Sequence, residues 1–264
     1  MIPSGTQDPS LPYTRRSAAG TARRVLRRIR EHLGDDPTFL PVVLRATPLG
    51  VSRRLTDTTD LVIEGFPRSG NTFAYFAMRL ASGDRLRIAS HVHTPSQVKA
   101  AVALHLPTML VVREPRDTVV SLLIAAPHVA FRAAIAEWIH HHRELLAYRN
   151  GFVVAGFDQV THDLGRVVER VNERFGTDLP RFEPTPANTD AVFAAIEEHH
   201  QRVHGGTENV VPRPSPARQA ERRWLLEQLA APRFDELWAE AEVVHRDLTA
   251  GLSDPTPARG RAPG

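Results

Sequence analysis

The chain has 264 residues, enough to bury the core of one α/β domain, and its lack of cysteine excludes disulfides and thiolate chemistry. Its net charge of +3 is too small to indicate bulk binding of nucleic acid. The sequence has no run of about eighteen apolar residues that would span a membrane and no apolar N-terminal signal core, so we expect a cytoplasmic protein.

The two ends of the chain differ in composition from its middle. Residues 1–14 are rich in Pro, Ser, Gly and Thr, and residues 253–264 in Pro, Gly and Ala, so we expect a disordered N-terminus and a mobile tail. Residues 15–33 place an apolar stripe among arginines, which predicts a basic helix. That helix either packs on the domain or binds a membrane surface or a partner. We expect one domain over 15–252.

From residue 60 onward, short apolar runs alternate with segments of helical periodicity. The predicted strands are 60–65, 86–91, 108–113 and 152–156. The predicted helices are 71–82, 95–104, 116–125, 129–148 and 160–175, followed by 189–204, 216–230 and 233–249. Strands separated by helices predict a three-layer α/β fold with a central parallel sheet flanked by helices. Its core would span 60–175 and its helical C-terminal part 189–250.

The first predicted strand leads through a glycine-containing loop into a helix that starts near Asn71. In such an arrangement loop N–H groups and a helix N-terminus converge on one anion, so the pattern predicts a phosphate-binding loop. Gly65, Gly70 and Thr72 match the P-loop pattern G-x-x-x-x-G-K-[ST], but Asn71 stands where the lysine should be. The alternative is that the two glycines simply make a turn.

A second candidate site follows the third predicted strand, which ends in Arg113. The next helix carries Ser121 about two turns further on. A cation at the carboxyl end of a parallel strand lies on the edge of the sheet where ligands bind. A kinase or NTPase would instead need a carboxylate to hold Mg²⁺ and a lysine that contacts the phosphates. The pattern therefore predicts a nucleotide with several anionic groups and no obligatory metal. Alternatively, Arg113 pairs with Asp117 or Glu114, and Ser121 is an ordinary helix residue.

The two motifs together resemble those of the PAPS-dependent sulfotransferase family. Residues 66–73, Phe-Pro-Arg-Ser-Gly-Asn-Thr-Phe, are similar to the family's 5′-phosphosulfate loop, commonly Pro-Lys-Ser-Gly-Thr-Thr-Trp. Residues 112–121 are similar to its 3′-phosphate motif, Arg-x-Pro-x-Asp-x-x-x-Ser, and residues 157–160 to its Tyr-Glu-Asp-Leu region. The resemblance covers about residues 60–175 and implies the family's P-loop-like fold.

The resemblance also implies an activity: transfer of a sulfuryl group from PAPS (3′-phosphoadenosine 5′-phosphosulfate) to a hydroxyl or amine of a small-molecule acceptor, without a metal. Arg113 and Ser121 would bind the 3′-phosphate. Arg68, in place of the family's usual lysine, would contact the donor and stabilise charge on the leaving bridging oxygen. The other loop residues would hold the 5′-phosphosulfate: Ser69, Gly70, Asn71, Thr72 and Phe73.

Transfer to a hydroxyl requires a group that removes the acceptor proton, and this group is most often a histidine. Residues 90–95, Ser-His-Val-His-Thr-Pro, end the second predicted strand on the ligand edge and resemble the family's Thr-His-Leu-Pro context. His91 is the better match and is the predicted base. His93, two residues on and on the same face of an extended strand, is the alternative. Either histidine could instead only hydrogen-bond the loop.

Three departures from the family keep other functions open. The stretch between the two nucleotide motifs is short, and Phe157 stands where the family often has tyrosine. The family's late Arg-Lys-Gly segment, which closes over the 3′-phosphate, is not recognisable, and Arg213 or Arg218 would have to replace it. The alternatives are a non-catalytic member that binds a nucleotide or a protein partner, and a P-loop kinase or NTPase.

Overall fold

The structure is a computed structural model that describes residues 54–204 and 218–252. The disordered segment expected at 1–14, the basic helix expected at 15–33, the tail expected at 253–264 and the candidate residue Arg213 lie outside the described residues.

A four-stranded parallel sheet lies at the centre of the fold, in the order β2-β1-β3-β4. The strands are β1 Leu61–Glu64, β2 Ile88–Ser90, β3 Thr108–Val112 and β4 Val153–Gly156. Every position of β1, β2 and β3 is buried. Strands covered on both faces read as continuous apolar runs, which is how they were recognisable in the sequence.

Helices follow each strand and complete the C-terminal part. They are α1 Asn71–Ser82, α2 Pro95–Ala103, α3 Pro115–Ala125, α4 Phe131–Leu146, α5 Phe157–His162, α6 Leu164–Phe175, α7 Pro186–His204, α8 Gln219–Leu229 and α9 Asp235–Thr249. Short 3₁₀ turns lie at Arg149–Gly151 and Pro232–Phe234.

Alternate residues of the strands face two different helical layers. Ile63 and Val111 pack in a core with residues of α1, α6 and α7. Val62 and Leu110 point the other way, into apolar clusters formed with α2, α4 and α9. The predicted three-layer α/β fold with a central parallel sheet is confirmed, and the observed strand ends lie within one or two residues of the predicted ones.

One predicted element is wrong. The single helix expected over 160–175 is two helices, α5 and α6, which meet at Asp163. This residue has φ −149° and ψ 44°, which is not helical, and it caps the end of one helix and the start of the next. The Asp163 side chain makes no capping hydrogen bond to the helix that follows, so the backbone conformation divides the two helices.

Candidate functional site

A cavity of about 710 Å³ lies beyond the carboxyl ends of the strands, bounded by the 66–73 loop, α3, α5, α7 and α8. It brings most of the predicted site residues together. Those in its lining are Arg68, Gly70, Asn71, Thr72, Phe73, Arg113, Ser121 and Arg218, with His93. Ser69 and His91 do not contribute to the lining. The predicted phosphate loop and the predicted arginine–serine motif are therefore parts of one cavity.

The loop turns sharply against β3 before it enters α1. A Cβ at Gly65 would lie 2.3 Å from the carbonyl oxygen of Val111, so only glycine fits at this position. Gly70 has φ +107° and caps α1 without a side-chain acceptor of its own. Because the first N–H groups of a helix need acceptors and attract negative charge, this helix start is suited to an anion.

Asn71, in the position of the P-loop lysine, turns back into the loop. Its Nδ2 donates to the carbonyl oxygens of Gly65 at 3.2 Å and Phe66 at 3.1 Å. The side chain therefore shapes the loop, since a buried donor with two partners is held in place. Ser69 is completely buried and does not contribute to the lining of the cavity.

Arg68 and Arg113 connect the two predicted motifs. Nε of Arg68 donates to Oγ of Ser121 at 3.1 Å, and Nη1 of Arg113 lies 3.4 Å from the carbonyl oxygen of Arg68. The Arg113 guanidinium also lies over the ring of Phe157, 4.2 Å from its centroid, and 3.4 Å from a carboxylate oxygen of Asp117. Arg113 therefore both pairs with Asp117, which was the alternative expected from the sequence, and lines the cavity.

The cavity is strongly cationic. Burial, and then the neighbouring charges of Arg218 and Arg113, lower the pKa of Arg68 to about 10. Burial is also the main cause that lowers the pKa of Arg113; the Arg222 charge acts in the same direction and Asp117 opposes it. An anion placed among these guanidinium groups would stabilise their charged form and so offset the cost of burying them.

Helix α8 supplies an arginine that the sequence reasoning missed. Arg222 lines the cavity together with Arg218 and forms an ion pair with Asp117. The two arginines are four residues apart, so they project on the same side of a helix. This spacing was visible in the sequence, but Arg218 was expected at the nucleotide site and Arg222 was not.

Helix α7 also contributes to the lining, and this contribution was missed in the sequence analysis. Thr189 and Phe193, again four residues apart, contribute to the cavity. The ring of Phe193 lies 5.6 Å from that of Phe73, centroid to centroid. The cavity thus combines a cationic region with an aromatic one, which suits a ligand that carries both anionic groups and a flat apolar ring.

The two candidate histidines lie in different surroundings. His91 has Nε2 3.2 Å from Oγ1 of Thr72 and Nδ1 2.8 Å from Oγ of Ser90, so both ring nitrogens are in hydrogen-bond contact with hydroxyl groups. His93 lines the cavity, and its Nδ1 donates to the carbonyl oxygen of Gly65 at 2.8 Å. In the neutral ring this donation leaves the lone pair on Nε2, the form that accepts a proton.

Comparison with known proteins adds little to this description. No protein-family model matches the chain, and no curated protein matches it. Among solved structures, mouse sulfotransferase SULT7A1 complexed with PAP has a TM-score of 0.38 and 14% sequence identity, over 73% of this chain and 91% of that one. This is a weak structural similarity.

Within 54–204 and 218–252, no helix has the length and apolar character needed to cross a bilayer. Across the same residues, no group of three or more His, Cys, Asp or Glu side chains is arranged to hold a metal ion.

Proposed function

We propose that the protein is a cytoplasmic sulfotransferase that moves a sulfuryl group from PAPS to a hydroxyl or amine of a small molecule. The observation that carries the proposal is the convergence of Arg68, Arg113, Arg218 and Arg222 beside the loop that starts α1. Their charge is offset nearby by Asp117, which contacts two of them. A donor with anionic groups at two ends of one nucleoside has the charge that such a cavity requires.

The loop and the arginines would bind different anionic groups of the donor. The 5′-phosphosulfate would lie at the start of α1, where the N–H groups of Gly70, Asn71 and Thr72 and the side chain of Arg68 are close by. The 3′-phosphate would lie at Arg113 and Ser121. Bidentate guanidinium contacts favour such a tetrahedral anion.

Arg218 and Arg222 would take the place of the family's missing Arg-Lys-Gly segment. Arg222 of α8 and Arg218, which caps the start of that helix, line the same cavity as Ser121. The role proposed from the sequence for Arg213 stays a proposal for a residue outside the described part of the chain.

The reaction needs one proton acceptor and one cation. The acceptor oxygen attacks the sulfur, the bond from sulfur to the bridging oxygen breaks, and PAP leaves with the electron pair. Arg68 would stabilise the charge that grows on the bridging oxygen. We assign the acceptor proton to Nε2 of His93, because that ring lines the cavity and its tautomer is suited to the task. This choice differs from the sequence-based prediction, in which His91 was the base and His93 the alternative; His91 is now the alternative.

The donor assignment is tested by calorimetric titration with PAP and with ADP, which carries two phosphates but none at the 3′ position. Charge-assisted hydrogen bonds contribute roughly 1.5–3 kcal/mol each, so two such contacts predict that PAP binds well over tenfold tighter. Arg113→Ala should remove most of the difference. Arg116→Ala is the matched control, because Arg116 pairs with Glu242 and lies over Trp238 instead of lining the cavity.

Equal affinities for PAP and ADP would refute the donor assignment. Tight binding of both, dependent on Mg²⁺, would instead favour the kinase or NTPase alternative. PAP binding without any turnover of PAPS would favour the non-catalytic alternative.

The base is tested separately with His91→Gln and His93→Gln, measured by hydrolysis of PAPS until an acceptor is known. Loss of a general base costs about 10²–10⁴ in rate. We expect that loss in the His93 variant, with little change in PAP affinity. The same loss in the His91 variant alone would reassign the base.

A further inference from the structure

Glu64, the last residue of β1, is a carboxylate in an apolar strand. It is only 1% exposed. One carboxylate oxygen accepts hydrogen bonds from the backbone N–H of Val92 and from Nε2 of Gln97, both at 2.8 Å, and the other accepts from the backbone N–H of His93 at 3.0 Å. A buried carboxylate is costly unless it is hydrogen-bonded, and these donors offset that cost.

The segment that Glu64 binds has an unusual backbone. His91 has φ +64° and His93 has φ +56°, both in the left-handed region that residues with a Cβ seldom adopt. Strain of this kind persists only where the surroundings enforce it. The Glu64 carboxylate supplies that enforcement, because it binds two consecutive N–H groups between and at the strained positions.

The residue after Glu64 binds the side chain of the same histidine. The carbonyl oxygen of Gly65 accepts from Nδ1 of His93 at 2.8 Å. Two adjacent residues of β1 and the loop therefore hold His93, one through its backbone and one through its ring. Any shift of the backbone at His93 would move Nδ1 away from this carbonyl.

We propose that Glu64 is a positioning residue that holds His93 with its proton on Nδ1 and its lone pair on Nε2, directed to the acceptor. The catalytic part of this inference rests on the proposed sulfuryl transfer. As the acceptor oxygen bonds to sulfur and the bond to the bridging oxygen breaks, the acceptor proton moves to Nε2, and PAP departs with the electron pair. Glu64 itself touches neither donor nor acceptor.

The first test requires no ligand. Heteronuclear NMR of the histidine rings distinguishes the two tautomers, and the His93 signals are identified by their absence in His93→Gln. We expect the Nδ1–H tautomer of His93 in the unmodified protein. In Glu64→Gln we expect a shift towards the Nε2–H tautomer, because the NH₂ group of the new glutamine would face one of the N–H donors that the Glu64 carboxylate binds. Glu144→Gln, which breaks the ion pair between Glu144 and Lys99, is the matched control and should leave the His93 signals unchanged.

The second test follows PAPS hydrolysis and PAP affinity in the same variants. A displacement of a catalytic group by about 1 Å costs on the order of 10²-fold in rate, so Glu64→Gln should lose about that much. The dissociation constant for PAP should stay within about twofold, since no donor contact is removed. If Glu64→Gln does not fold, Gln97→Ala, which removes one partner of the carboxylate, should produce a smaller change in the same signals and the same rate.

The inference is overturned if Glu64→Gln keeps the wild-type His93 tautomer and the wild-type rate. It is also overturned if rate and PAP affinity fall together, because Glu64 would then support the loop as a whole. Failure of the unmodified protein to bind PAP would refute the sulfotransferase proposal instead, and the tautomer measurement would still decide whether Glu64 controls His93.

Discussion

Lowering the pH from about 7 to 5 should destabilise the protein through one buried histidine in α4. His142 is completely buried, its ring lies 3.9 Å from that of Trp138, and its Nδ1 donates to the carbonyl oxygen of Trp138 at 2.7 Å. Burial lowers the pKa of His142 to about 3. The unfolded chain takes up this proton near pH 6.5, whereas the folded chain does not until the pH is far lower.

The sign and the size of the effect follow from this difference in pKa. Above about pH 6.5 neither state is protonated and folding incurs no penalty at His142; as the pH falls towards 3, the unfolded state is favoured progressively. At 1.36 kcal/mol for each pH unit below the unfolded pKa, roughly 2 kcal/mol of stability is lost by pH 5. Burial also lowers the pKa of His245, which adds to the loss in the same direction.

A substitution isolates the contribution of His142. The free energy of unfolding by urea, followed by tryptophan fluorescence, is measured at about pH 7 and 5 for the wild-type chain, His142→Leu and His140→Leu. His142→Leu should lose about 2 kcal/mol less between the two pH values than the wild type. The control His140→Leu changes an exposed position of the same helix and should behave like the wild type. An equal pH-dependent loss in wild type and His142→Leu would refute the reasoning.

Three other outcomes are expected. Phe157→Leu should weaken PAP binding roughly two- to fivefold by calorimetry, because a cation–π contact with Arg113 contributes about 0.5–1 kcal/mol, and an unchanged affinity would contradict this. Gly65→Ala should lower the free energy of unfolding by about 1–3 kcal/mol, because its Cβ would meet the carbonyl oxygen of Val111, whereas Gly156→Ala, with no atom closer than 3.8 Å, should be tolerated. PAP affinity should survive EDTA; a loss restored by Mg²⁺ would favour a kinase or NTPase.

The fold was predictable because its signals are local and repeated. Largely apolar runs of three to five residues mark the strands, and helical periodicity marks the segments between them. The loop was recognisable for the same reason, since glycines in the turn at the end of a strand leave few other arrangements. The break at Asp163 was missed because the apolar residues on either side of it continue at helical spacing, and only the backbone conformation separates the two helices.

The site was less predictable because it depends on contacts between distant segments. The sequence placed His91 and His93 on one face of an extended strand, but β2 ends at Ser90 and both histidines adopt positive φ. Their rings consequently meet different partners, and only one of them lines the cavity. The interaction that produces this difference, Glu64 with the backbone of the 91–93 segment, joins residues nearly thirty positions apart.

The phosphate loop and the acid-sensitive core are connected through Phe66. Its ring lies 5.5 Å from His141 and 5.9 Å from His142, while its carbonyl oxygen accepts from Asn71. Because His142 takes up a proton at mildly acidic pH only when the chain unfolds, acid weakens the loop and α4 together by favouring the unfolded state. A rate that falls as the pH is lowered has two possible causes: protonation of a general base, or unfolding that includes the loop. The affinity for PAP distinguishes the two causes. Protonation of the base leaves PAP affinity unchanged, whereas unfolding of the loop lowers PAP affinity together with the free energy of unfolding.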